Sequence, residues 1–232
     1  MHIEPGVVTG TKLALSYATA LGSLGLAAKL AFDMARKDGV VPLVSRSVMT
    51  TALVFCFFQI LPHYPAGVSE VHFILGSTLF LIFGAGPAAI GLALGLLAQG
   101  LLFALADLPQ YGMNVTSLLA PLYAVNILAK RVIPETIAYK DLTYSQTLAL
   151  STAYQGGVVA WVALWAFYGN GFSAENLDQV SVFGAAYLTV LLAEPLFDLA
   201  VLRSAKAAHQ LKSSTLFHAR LSSPIQGISN TS

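Results

Sequence analysis

The sequence predicts an all-α membrane protein with about seven transmembrane helices. Of its 232 residues, 56% are hydrophobic and only 10% are charged, and the mean hydropathy is +0.71. A water-soluble domain of this size could not bury so much apolar surface, so the chain belongs in a bilayer. A net charge of +1, with no run of basic residues, gives no indication of nucleic-acid binding.

The predicted helices are apolar segments that approach the length needed to cross a hydrocarbon core about 30 Å thick, which is about 20 residues. They form a transmembrane domain over residues 1–202, and the polar segment 203–232 is expected to be a mobile cytoplasmic tail. In chain order the segments lie near residues 10–34, 46–61, 71–84, 87–106, 115–131, 146–168 and 181–202.

The third and fourth segments must be separate helices. The stretch from Val71 to Ala106 contains no Asp, Glu, Lys or Arg, and as one helix it would be roughly 54 Å long, well beyond the bilayer core. The sequence Gly-Ala-Gly-Pro at residues 84–87 is the natural turn. Pro87 removes a backbone donor and favours a helix start, and the glycines permit a tight reversal.

The distribution of basic residues predicts the orientation. With seven passes and the amino terminus outside, the inside loops and tail hold 10 of the 12 basic residues and the outside loops hold none. The positive-inside rule therefore places the amino terminus outside and the carboxyl terminus in the cytoplasm. No signal-peptide pattern surrounds the first apolar segment, so residue 1 is expected to stay attached. Residues 1–2 and 62–72 then share the outer side.

The first two residues form a potential metal chelate. The α-amine of Met1, the amide nitrogen between Met1 and His2, and a ring nitrogen of His2 can close two fused rings around one ion. Three in-plane nitrogens favour Ni(II) or Cu(II), with Co(II) also open. His72, at the start of the third segment, is the better fourth ligand. The alternatives are an incidental histidine at position 2 and a capping or interfacial role for His72.

Three further residues are second-tier candidates for this site. His63, at the other end of the outer loop, is an alternate ligand or a first contact for incoming metal. Glu70 could add a carboxylate near the metal. Asn114 is a polar group that could serve the mouth of the site.

Charged residues inside the apolar segments form a second group. Lys29 lies toward the inner end of the first segment, at a depth similar to Glu194 and Asp198 in the seventh. Glu194 and Asp198 are four residues apart and share a helix face. An ion pair between Lys29 and Glu194 would neutralise both charges, either as a structural link or as part of coupling or proton movement.

Motifs for ATP hydrolysis or enzymatic catalysis are absent. The sequence has no G-x-x-x-x-G-K-[ST], H-E-x-x-H, G-x-S-x-G or C-x-x-C pattern. We therefore expect a protein that is not an enzyme. Any active transport must draw its energy from separate subunits or from an ion gradient.

Several short stretches match a known pattern: Met1-His2-Ile3, the loop from Pro65 to His72, Gly76, Gly86-Pro87 and Gly112-Met113-Asn114. They resemble the CbiM/NikM family, the substrate-capture subunits of energy-coupling-factor cobalt and nickel importers. The resemblance covers most of the first 200 residues, and its specific part is Met1, His2 and His72. This sequence departs from the family pattern at two places near these residues. Between Ile3 and Gly6 the acidic residue Glu4 comes before Pro5, whereas in the family the acidic residue comes second. The loop that ends at His72 is one residue longer than in the family.

The resemblance implies a function and a set of partners. In the family, the terminal amine, the amide and ring of the second residue and the loop histidine bind the metal through four nearly coplanar nitrogens. It implies transported Co(II) or Ni(II), no permanently bound cofactor, and a prokaryotic plasma (inner) membrane location. The implied partners are membrane lipid, a transmembrane coupling subunit and a pair of cytoplasmic ATPases, and a small accessory membrane subunit is left open. The alternatives are a gradient-driven metal/proton permease and a non-transporting structural membrane subunit.

Overall fold

The computed structural model describes residues 3–134, 137 and 139–212. Within these residues the chain forms seven α-helices and one antiparallel β-hairpin, with three short 3-10 helices between them. The elements are α1 (Leu13–Asp38), α2 (Val40–Ile60), β1 (Tyr64–Ala66), β2 (Ser69–Val71), α3 (Gly76–Phe83), α4 (Ala85–Phe103), α5 (Tyr111–Val132), α6 (Tyr144–Asn170) and α7 (Ala174–Lys212).

The predicted all-α membrane fold is confirmed. Six helices, all except α3, are long and apolar enough to cross a bilayer. The seventh helix begins earlier than predicted and continues to Lys212, so part of the segment predicted as a tail is helical. The rest of that segment, residues 213–232, lies outside the described residues.

The third predicted segment is only partly helical, so the prediction of a helix over residues 71–84 was wrong at its start. Helix α3 has eight residues and rises about 12 Å, too little to cross a bilayer. The chain ahead of it runs beside α7: Gly67 packs against Gln179, and the amides of Ile74 and Leu75 bind Glu194. Gln179 and Glu194 are about 22 Å apart along α7. The extended segment and the short helix therefore make this crossing together.

The turn between α3 and α4 lies at the predicted place. Gly84 separates the two helices with a φ of 93°, a left-handed conformation that glycine adopts without steric cost. Its amide donates to the Phe80 carbonyl at 2.9 Å, and Pro87 follows in the first turn of α4. The chain therefore reverses here.

Small residues allow α2 and α4 to pack closely. Gly91 of α4 lies against Thr50, and Gly95 lies against Val54, with no room for a Cβ atom at either glycine. Thr50 also donates a hydrogen bond to the Pro87 carbonyl at 2.7 Å. Close approach through small residues is the usual basis of helix packing in membranes.

The two ends of the bundle differ in chemistry. At one end, a cavity of about 430 Å³ next to the Gly84 turn is lined in part by Lys37 and Lys130. At the other end lies the β-hairpin, whose tip at Gly67 packs on the first turns of α7. The candidate site lies at this hairpin end.

Candidate metal site

The amino-terminal segment is held beside the hairpin. Ile3 is fully buried and forms an antiparallel bridge with Ser69 of β2. Its amide donates to Asn114 Oδ1 at 2.9 Å, and the Glu4 amide donates to the Val68 carbonyl at 3.1 Å. The chain is therefore fixed from residue 3 onward. Met1 and His2 lie outside the described residues.

His72 follows directly after β2 and is 1% exposed. Its Nε2 lies 2.8 Å from Glu70 Oε2. The His63 ring stacks on it with centroids 4.9 Å apart and planes 8° apart, and Phe58 meets it edge to face at 5.2 Å. The structure thus brings His63, Glu70 and His72, all candidates from the outer loop, into one cluster.

Burial sets the electrostatics of this cluster. His72 is buried, and burial disfavours the charged form of an imidazole, so the ring is neutral and keeps a lone pair for a metal. Burial also raises the pKa of Glu4, and the nearby Glu70 and Asp107 carboxylates raise it further. A neutral imidazole therefore lies beside a group of acidic side chains that attract cations.

The contact between His72 and Glu70 indicates which ring nitrogen faces a ligand. A carboxylate accepts hydrogen bonds, so a neutral His72 paired with it carries its proton on Nε2. The lone pair is then on Nδ1. Carboxylates that hold the far nitrogen of a metal-binding histidine in this way fix its tautomer and increase its basicity. Glu70 is thus placed to orient His72.

The structure places Asn114 beside the amino-terminal segment. It lies in the first turn of α5, is 1% exposed, and uses its amide oxygen to hold the backbone of Ile3. Sequence reasoning found the residue but not this contact. It also missed Phe58 and Ser69, because nothing in the pattern of either segment signals a neighbour so distant in the chain.

Lys29 and Glu194 do not form the predicted ion pair, so that prediction was wrong. Lys29 is 69% exposed and its Nζ lies 3.0 Å from Asp33 Oδ2, one turn further along α1. Glu194 is fully buried and accepts hydrogen bonds from the Ile74 and Leu75 amides and from the Gln155 side chain. An intrahelical partner on the surface satisfies Lys29, while neutral donors satisfy Glu194.

Asp198 lies one turn after Glu194 and also contacts the start of α3. It is 1% exposed, and one of its oxygens accepts a hydrogen bond from the Ser77 hydroxyl at 2.6 Å. Glu194 and Asp198 are thus both directed at the start of α3. Gln155 was overlooked in the sequence, although a glutamine in the middle of an apolar segment is a signal for a buried polar contact.

Side chains alone do not complete a metal site in the part of the chain that the structure describes. There, no three His, Cys, Asp or Glu residues are grouped so that they could hold an ion. The predicted ligand set draws its other nitrogens from Met1 and His2.

The comparisons with known proteins agree on the type of fold. A family model described as "Cobalt uptake substrate-specific transmembrane region" matches residues 2–210. One solved structure, "Crystal Structure of an transition metal transporter", aligns with a TM-score of 0.65 at 19% identity, covering 95% of this chain and 97% of that one. A truncated transition metal transporter aligns at 0.61 and 19% identity, covering 91% and 98%. No curated protein sequence matches.

Proposed function

The chain belongs to the CbiM family of cobalt-uptake substrate-specific transmembrane regions, and we propose that it binds Co(II) or Ni(II) at the outer face of the membrane for uptake. It is a multi-pass membrane protein, with residues 1–202 as the metal-binding unit. The amino terminus lies outside and the carboxyl terminus in the cytoplasm. The distribution of basic residues supports this orientation, because Lys37 and Lys130 lie at the end of the bundle away from the hairpin.

The proposed ligands are the amine of Met1, the amide and ring of His2, and the ring of His72. The observation that carries this proposal is the attachment of Ile3 to Ser69 and Asn114. Consecutive Cα atoms are 3.8 Å apart, so residues 1 and 2 remain within about 8 Å of this fixed point. Ser69 is itself only three residues from His72.

The donor set determines the class of cargo. Four nitrogens, one of them a deprotonated amide, suit a tetragonal site for Ni(II), Cu(II) or Co(II) and exclude the oxygen-seeking Mg²⁺ and Ca²⁺. Glu70 acts through His72 in this proposal and is not itself a ligand. His63, stacked on His72, makes the first contact with incoming metal.

Transport requires further subunits, because this sequence contains no phosphate-binding motif for ATP. We propose that a transmembrane coupling subunit and a pair of cytoplasmic ATPases supply the energy. The competing proton-relay mechanism loses a component, since Lys29 pairs with Asp33 rather than with Glu194.

The test is metal binding by purified protein with an unmodified amino terminus. Isothermal titration with Ni(II) and Co(II) should give one ion per chain. One residue added before Met1 should abolish binding because the new peptide bond acylates the Met1 amine. His72→Ala should abolish it as well.

The matched control is His63→Gln, which removes the stacked ring and leaves the proposed ligands intact. It should slow metal capture and leave the stoichiometry at one. Undiminished binding by the extended protein would reject the chelate, and undiminished binding by His72→Ala would reject the fourth ligand.

A further inference from the structure

Helix α7 carries two carboxylates in the middle of its membrane span. Glu194 is fully buried and Asp198 is 1% exposed. A carboxylate in an apolar interior is costly unless its oxygens are hydrogen-bonded. The groups that bind these oxygens therefore indicate what the carboxylates do.

Both oxygens of Glu194 face the backbone just before α3. The amide of Leu75 lies 3.1 Å from each oxygen, and the amide of Ile74 donates to Oε1. Helix α3 begins at Gly76, so these amides lie where no preceding helical turn supplies acceptors. A negative group at this position also interacts favourably with the helix dipole.

The backbone at this point has an unusual conformation. Leu75 has a φ of 52°, and it is the one residue other than glycine with positive φ in the described part of the chain. A bulky side chain rarely occupies the left-handed region, because the Cβ atom approaches the backbone too closely. The surrounding contacts must hold this conformation, and strain of this kind is typical of functional sites.

Other side chains fix Glu194 in turn. Gln155 of α6 donates to its Oε2, and the Tyr187 hydroxyl donates to Gln155 Oε1 at 2.9 Å. One turn further along α7, Asp198 accepts from the Ser77 hydroxyl at 2.6 Å. The start of α3 is thus attached by hydrogen bonds to side chains of α6 and α7.

We propose that Glu194 is a positioning residue for the metal site. It binds the amides of Ile74 and Leu75 and so fixes the depth and direction of residues 72–75, which we call the site loop and which present His72. The inference rests on the proposed role of His72 as a ligand. His72 is two residues from Ile74, so a shift of the Ile74 and Leu75 amides displaces the His72 ring.

The experiment compares the metal-free full-length protein with Glu194→Gln in lipid nanodiscs. A glutamine retains one acceptor oxygen but replaces the other with a donor that faces the donor group of Gln155. Hydrogen exchange of peptides covering residues 73–78 should accelerate, and the dissociation constants for Ni(II) and Co(II) should rise by about tenfold or more. Glu175→Gln, at an exposed position in the first turn of the same helix, should change neither.

A second variant keeps the test decisive if Glu194→Gln does not fold. Gln155→Met is similar in shape and leaves the carboxylate in place without its orienting donor. It should produce the same two changes with smaller amplitude.

The two measurements separate the possible outcomes. Unchanged exchange in the folded variants overturns the proposal, and so does faster exchange with unchanged metal affinity, because Glu194 would then only cap α3. Failure of the unaltered protein to bind either metal rejects the proposed function, whereas the exchange data still report whether Glu194 holds the site loop.

Discussion

At the scale of single residues, Glu70 contacts the ring of the proposed ligand His72. Its contact with His72 Nε2 predicts that Glu70→Gln weakens binding of Ni(II) and Co(II), because a neutral amide no longer fixes the tautomer or increases the basicity of the ring. Loss of such a partner typically lowers metal affinity by about 10- to 100-fold. Isothermal titration measures the affinity, and NMR of histidines labelled with ¹⁵N reports the tautomer.

The exposed Glu175→Gln serves as the control for overall charge. The metal-free protein should show the proton of His72 on Nε2, and Glu70→Gln should lose this preference. An unchanged affinity, or a proton found on Nδ1 in the unaltered protein, would contradict the orienting role of Glu70.

At the scale of elements, the sequence predicted the long helices well and the third segment poorly. Length, hydropathy and the Gly-Pro turn located six spans and the reversal at Gly84. They also predicted helix over residues 71–75, because an apolar run has the same composition whether it is helical or extended. What decides between the two is distant in the chain: Glu194 supplies acceptors to Ile74 and Leu75. Irregular backbone at membrane depth requires such a partner from the protein.

For the site, as for the helices, local sequence could indicate candidate residues, whereas contacts with distant parts of the chain could not be predicted. The proposal of His72 as a ligand came from its place at the start of an uncharged segment and from the family resemblance, and Glu70 and His63 became candidates from their place in the same loop. The roles of Asn114 and Glu194 could not be predicted in this way, because each binds a backbone amide more than a hundred residues away. Every residue except proline has a backbone amide, so the sequence of the donating segment does not show which of its amides a distant side chain binds.

At the scale of the whole molecule, the two ends of the bundle should face different compartments. The hairpin and the amino-terminal segment occupy one end, and Lys37 and Lys130 occupy the other. Since basic residues near membrane spans remain on the cytoplasmic side, we predict that the hairpin end faces outward. The metal site proposed at this end would then collect metal from outside the cell.

Cysteine labelling in intact cells tests this orientation. With the single cysteine removed by Cys56→Ala, Phe172→Cys reports the turn between α6 and α7, where Phe172 is 75% exposed. Ser145→Cys, at the start of α6, reports the opposite end of the same helix. A membrane-impermeant maleimide should label Phe172→Cys in intact cells and Ser145→Cys only after permeabilisation. The reverse pattern would place His72 on the cytoplasmic side, where the same ligands would serve export rather than capture.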